Sequence, residues 1–288
     1  MGLGRFCTSL PSLGVRHQAK NIMTTLKFLL YGQAACSIIM LIGWLFALRS
    51  KNASYVDVLW SYGVGVLGVF YLFYFSDNCE PGRLALFQGL LGVWSIRLGT
   101  HLLRRCWGKP EDARYAYLRE ALGKNANLGL FAFFQIQAFW TVLFASPFLI
   151  LVQNQAPLGF WDHVGTIIWI IGFVGVSLSD KQLRIFKSNP ERTRKEVCDT
   201  GLWKYSRHPN YFFEWILWLS YIPLGYQATG WPWLFLIPPV LYLFLTKITG
   251  IPFVEARKLE ASGDAYKSYV ANTSAFFPWP PRSKEPNS

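Results

Sequence analysis

Seven stretches of this chain run almost without charge: 26–48, 54–75, 84–103, 128–152, 164–178, 212–226 and 231–248. They are apolar on every side, so periodicity says little and length decides. A helical bilayer span needs about 20 largely apolar residues. Five of the stretches reach that length. The two shorter ones, 164–178 and 212–226, need amphipathic flanks to do so. Only 15% of residues are charged, against about 25% in a soluble domain. Many of the 13 Trp and 14 Tyr lie near the span ends, as interfacial aromatic belts do. The predicted fold is all-α, a polytopic transmembrane bundle of about seven spans.

A net charge of +12 invites a nucleic-acid reading, but its distribution argues against one. Of 28 Lys and Arg, six lie in 104–124, eight in 181–207 and six from 247 onward. The loops 153–159 and 226–230 have none. That asymmetry puts the basic loops and the C-terminus in the cytoplasm and, with seven spans, the N-terminus outside. The first 27 residues conflict with this, carrying Arg5, Arg16, Lys20 and Lys27 and no acid. A start at Met23, a disordered extension or a transit peptide each resolves the conflict, the first two being favoured. Phe6 stands where a myristoylation signal needs Ser or Thr. The five Cys and four His are scattered singly, so neither metal, haem attachment nor a structural disulfide is expected.

The expected organisation is an N-terminal extension (1–25), one membrane domain (26–277) and a disordered Pro-rich tail (278–288). Two loops are longer than a connection needs. The first, 104–127, holds Glu111-Asp112-Ala113-Arg114-Tyr115 and a short helix ended by Gly123. The second, 179–209, begins with Asp180, Arg184 and Lys187 at i, i+4 and i+7, one helical face. A helix is also expected over 253–262.

The densest chemistry lies in Gly201-Leu202-Trp203-Lys204-Tyr205-Ser206-Arg207-His208-Pro209-Asn210-Tyr211, running into an apolar helix that contains Glu214. Pro209 suits a first helical turn. Ser206 or His208 can cap that turn, and Arg207 beside open backbone donors suits a phosphate or carboxylate. Asn210 and Glu214 share a face. An ionisable group at Glu214's depth marks a functional site with a partner, for which Arg207, Arg184 and Arg257 are the candidates. Arg97, with His101 one turn on, is a parallel case, for which snorkelling to the surface is the alternative. For Asp180, Arg184 and Lys187 the bland alternative is a solvated ion pair worth about 0.3–0.5 kcal/mol. The sharp reading is a cofactor face with cations on phosphates. Asp57 is either an acid favoured at a helix N-terminus or a polariser of bound substrate. Gly63-Val64-Gly65-Val66-Leu67-Gly68 has the form of a dinucleotide fingerprint but lies mid-span with no preceding strand. Close helix packing accounts for it better.

Asp57-x-x-Trp60, Glu111-Asp112-x-Arg114-Tyr115, Asp180-x-Gln182, the 201–214 block, Gly250-Ile251-Pro252 and Tyr266…Tyr269 together resemble the membrane family called domain of unknown function 1295. That family is grouped with the C-terminal domain of steroid 5-alpha reductases, and the resemblance covers about 26–277. It implies a seven-helix bundle holding NADPH in a cytoplasm-facing cavity. Asp180, Arg184, Lys187, Asn210, Glu214 and Arg257 match cofactor contacts, Arg105 does so approximately, and Arg207, His208, Tyr211 and Tyr266 belong to the same motifs. On the substrate side those enzymes use a Glu and a Tyr: Asp57 approximately replaces the Glu, Trp94 occupies the helical Tyr position, and Tyr62 is the hydroxyl expected to assist Asp57.

The leading expectation is thus an NADPH-dependent reductase of a lipophilic, steroid-like or enone-type substrate. The Arg-His-Pro-x-Tyr fragment also resembles isoprenylcysteine carboxyl methyltransferases and sterol C14 reductases. An S-adenosylmethionine-dependent methyltransferase is therefore the alternative, and a non-catalytic lipid-binding protein a third. No inverted repeat or mid-membrane ion cluster suggests a transporter.

Overall fold

A computed structural model describes residues 11–193 and 195–282, with side chains from residue 23. Among the described residues there are helices and no strand. In chain order they are α1 (Pro11–Ser50), α2 (Tyr55–Tyr74), α3 (Pro81–Cys106), α4 (Ala113–Leu122), α5 (Ala126–Ala145), α6 (Pro147–Leu151) and α7 (Phe160–Ser188), then α8 (Pro209–Leu219), α9 (Tyr221–Leu224), α10 (Ile237–Leu243), α11 (Ile251–Ser262) and α12 (Asp264–Asn272). Of the expected extension 1–25, residues 1–10 lie outside the described residues, and α1 begins at Pro11. Of the expected tail, 283–288 lie outside them. Within its described part the Trp279 N–H donates to the Tyr205 carbonyl and the Arg282 N–H to that of Asn272.

Five helical stretches are long and apolar enough to cross a bilayer: Met23–Ser50, Tyr55–Tyr74, Ala113–Leu151, Phe160–Ser188 and Trp231–Ser262. The chain is a membrane protein of the all-α class, and these five correspond to five of the seven expected stretches. The two other stretches differ from these in composition and in length. α3 has the length, but within 84–103 its apolar run is interrupted by Gln88, Arg97 and His101. α8 and α9 together cover 209–224, about 24 Å at 1.5 Å per residue, less than the ~30 Å hydrocarbon core.

The chain divides into two compact units, Met1–Tyr74 with Leu91–Leu149, and Phe75–Leu90 with Ile150–Ser288. In the first, α1, α2 and α5 pack together. The expected glycine packing is seen in α2: Gly65 faces Ser95, and Gly68 faces Leu91 and Phe148. Polar contacts cross the helices as well, the Ser95 hydroxyl donating to the Ser61 carbonyl (3.0 Å) and the Trp44 indole to that of Asn127 (3.0 Å).

In the second unit, α7 against α8 is the dominant packing. Gly172 makes it possible, since a Cβ there would meet the Leu217 backbone at 2.7–2.8 Å. The start of α7 is fastened by Asp162, whose Oδ2 accepts from the Gly159 N–H (2.8 Å) and from the Arg83 guanidinium (2.7 Å). Both side chains of this ion pair are about 95% buried. Removing one partner of such a pair strands the other charge, at a cost of about 3–5 kcal/mol. Asp162→Ala is therefore expected to lower the thermal midpoint of the detergent-solubilised protein sharply. Lys267→Ala, which breaks an exposed pair with Asp264, is expected to leave it unchanged.

Candidate functional site

The Gly201–Lys204 turn docks onto the last turns of α7. Gly201 has φ +59° and lies against the Gln182 amide, whose oxygen accepts from the Leu202 N–H (3.0 Å). The Trp203 indole donates to the Ser179 carbonyl (3.0 Å). These two contacts bring the start of α8 beside Asp180. Pro209 takes the first helical position, as its missing N–H allows. The next residue, Asn210, donates from its amide to Asp180 Oδ1 (3.2 Å) and accepts from the Tyr211 N–H (3.1 Å). One turn deeper, Glu214 Oε1 accepts from the Trp218 indole (3.3 Å). Asp180, Asn210 and Glu214 thus form a polar line where α7 meets α8. Arg184 and Lys187 continue the Asp180 face and are exposed to solvent.

Arg207 has a different place from the one expected. Its Nε and one terminal nitrogen donate to Glu255 (2.7 and 3.2 Å), and the other donates to the carbonyls of Thr273 (2.5 Å) and Val270 (3.1 Å). A guanidinium holding a bidentate carboxylate and two carbonyls has little left for a ligand phosphate. Neighbouring groups share this fastening role. The Ser206 hydroxyl donates to the Phe276 carbonyl (2.9 Å) and accepts from the His208 N–H (3.1 Å), and the Tyr269 phenol donates to the Trp203 carbonyl. The His208 ring meets Glu255 through Nε2 (3.1 Å) and stacks on Tyr211 at 5.4 Å. Tyr266 is buried, and that burial holds its phenol protonated by pushing its pKa up. The Ser206–His208 fragment therefore latches the residues before α8 to α11, α12 and the segment that follows.

The first unit has a polar cluster of its own. Asp57 accepts from Arg114 (2.8 Å) and from the Tyr115 phenol (2.6 Å), one oxygen to each. Asp112 caps α4 by accepting from the Arg114 N–H (3.0 Å) and also pairs with Arg105 (3.1 Å). Burial would raise the Asp112 carboxyl, but the hydrogen bonds and charge of Arg114 outweigh it and hold the group below its usual range. Glu111 accepts from the Ala53 N–H (2.7 Å) and pairs with Arg119 (2.9 Å). Tyr62 shares a hydrogen bond with Thr100 (3.0 Å).

Of the residues read from the sequence, the structure brings together Asp180, Asn210 and Glu214, with Arg184 and Lys187 on the Asp180 face. Arg207 and His208 gather around Glu255 instead of Glu214, and Tyr211 stacks on His208. Arg257 is exposed and pairs with Glu260 (3.3 Å). Asp57, Tyr62 and Arg105 belong to the first unit. The residue that the sequence reading missed is Glu255. Its signal was an acid just beyond Gly250-Ile251-Pro252, preceded by Phe253 and Val254, where a charge needs a partner.

Residues 43–273 match the family described as "Protein of unknown function (DUF1295)", and the chain belongs to that family. The match contains both polar clusters. An uncharacterized protein of Schizosaccharomyces pombe, C594.04c, is 29% identical over 211 residues, covering 65% of this chain and 61% of its own length. The chain thus spans about three-fifths of that curated relative. No solved structure matches the chain.

The latch carries a pH dependence. Burial pushes the His208 imidazole below its ordinary 6.5, against the opposing pull of Glu255. In the unfolded chain His208 gains its proton as pH falls through 6.5, while in the folded protein it stays neutral to lower pH. Stability from this group is therefore present above about 6.5 and is lost as pH falls below it. The thermal midpoint in detergent should drop between about pH 7.5 and pH 5, and His208→Gln should flatten that slope.

Proposed function

We propose that the chain is an NADPH-dependent membrane reductase of a lipophilic, steroid-like or enone-type substrate, built on the steroid 5-alpha reductase pattern with about seven membrane passages and its basic loops in the cytoplasm. The observation that supports this reading best is the Asn210–Asp180 contact, which aligns Asp180, Asn210 and Glu214 with two exposed cations above them.

These residues suit such a cofactor. Arg184 and Lys187 offer charge-assisted donors to phosphate oxygens. Asp180 and Glu214 are acceptors for ribose hydroxyls or a carboxamide. Asn210 supplies both a donor and an acceptor. NADPH, when bound, supplies the hydride. The protein's part is to orient the cofactor and exclude water, and buried Leu217 and Trp218 line the α8 segment beside Glu214. Arg207 and His208 fasten the wall of the site and do not bind the phosphates. On the substrate side, Tyr62 is the hydroxyl proposed to meet a carbonyl. Asp57 is a positioning residue that acts through Arg114 and Tyr115.

The methyltransferase reading shares only the Arg-His-Pro-x-Tyr fragment. Because that fragment serves as a latch, it favours neither cofactor. The cations at 184 and 187 suit a phosphate-bearing dinucleotide better than adenosylmethionine, which is itself cationic at sulfur.

Parallel titrations of the detergent-purified protein with NADPH and with S-adenosylmethionine test this directly. NADPH is expected to bind, and Arg184→Glu with Lys187→Glu to weaken it by about ten-fold or more, as expected for lost charged hydrogen bonds. A folded protein that binds S-adenosylmethionine and not NADPH, or that binds neither, would sink the proposal.

A further inference from the structure

The first unit also has an apolar groove with an open volume of about 370 Å³, within the usual range of ligand pockets of roughly 300–1,000 Å³. Its walls include Ile39, Ile42 and Phe46 of α1, Tyr55 and Leu59 of α2, and Trp107 just beyond α3. Phe46 and Tyr55 meet edge to face at 5.1 Å and form one rim. Gly43 lets the Leu59 side chain pack directly against α1, where a Cβ would collide with it. From Ile39 to Phe46 the groove follows α1 for about 10 Å.

The groove lies at the end of the unit where α1 and α3 finish and α2 begins, and that end is basic. Arg105, Arg114 and Arg119 are taken up by Asp112, Asp57 and Glu111. Arg49 and Lys51, which follow Phe46, and Arg104 and Lys109, which flank Trp107, have no carboxylate partner among the described residues. Trp107 is exposed, and an exposed indole at a span end suits headgroup depth. An apolar slot that opens onto uncompensated cations complements a ligand with a hydrocarbon chain and an anionic head.

We propose that this groove binds one acyl chain of an anionic glycerophospholipid, with its phosphate held by the cations around Lys51 and Lys109. A zwitterionic lipid offers the same chain but would gain little from the cations. A sterol offers no anion.

Native mass spectrometry of the delipidated, detergent-purified chain tests this with dioleoyl phosphatidylglycerol and dioleoyl phosphatidylcholine at equal concentration. Phosphatidylglycerol adducts are expected to dominate. Lys51→Gln with Lys109→Gln should cut that preference by about five-fold per charge removed and leave phosphatidylcholine unchanged. Ile42→Trp fills the groove from a side chain that is 61% exposed, so it should fold normally and reduce adducts of both lipids. Ile39→Trp is the second variant should the first misfold. Ile170→Trp, on an exposed face of α7, should change neither. Equal binding of the two lipids by the unaltered chain, or an unchanged spectrum for a folded groove-filling variant, overturns the proposal.

Discussion

A charge removed from water is tolerable only when it is paired and hydrogen-bonded, and the charges in this chain are distributed accordingly. Arg83 is buried against Asp162, Asp57 is held by Arg114 and Tyr115, and Arg207 is held by Glu255 and two carbonyls. Each of these contacts joins elements far apart in sequence. Apolar helices facing lipid gain little from the hydrophobic effect when they associate with one another. Close packing at small residues such as Gly172, together with these polar contacts, sets how the helices fit within each unit.

This division of labour changes the meaning of the most conspicuous motif. Arg207 next to a helix start looks like an anion site, yet Glu255 and the chain's own C-terminal segment claim its donors. Ser206 and His208 are used in the same way. On the proposed reading it is the neighbouring face, with Asp180, Asn210, Glu214, Arg184 and Lys187, that meets the cofactor. A fragment shared by membrane families with different cofactors is well explained when its task is to fasten the wall of a site. A fastening is compatible with either cofactor, whereas a phosphate contact is not.

Much of the fold was legible because its signals are local. Bilayer-length apolar runs predict helices. Asp112 and Gly123 bracket α4, Pro209 opens α8, and the i, i+4, i+7 spacing of Asp180, Arg184 and Lys187 corresponds to an unbroken continuation of α7. The family was legible from motifs spread along the chain. Glu255 was not, because its role depends on a partner 48 positions earlier, and spacing along one helix says nothing about such a contact. The span count was less legible for a related reason. The hydropathy run through 84–103 passes over Arg97, and that through 212–226 passes over the break between α8 and α9.

By itself the sequence determined that the chain is a helical membrane protein of this family, with its basic residues gathered in three segments. Composition and local geometry suffice for that, since a long run without charge has few stable alternatives to a membrane helix. Only the tertiary structure decided which polar residues pair with one another. It set Arg207 on Glu255, Asn210 on Asp180 and Arg114 on Asp57. Pairing is a property of distance across packed helices, and any of several cations could have served each acid until the backbone brought one of them within reach.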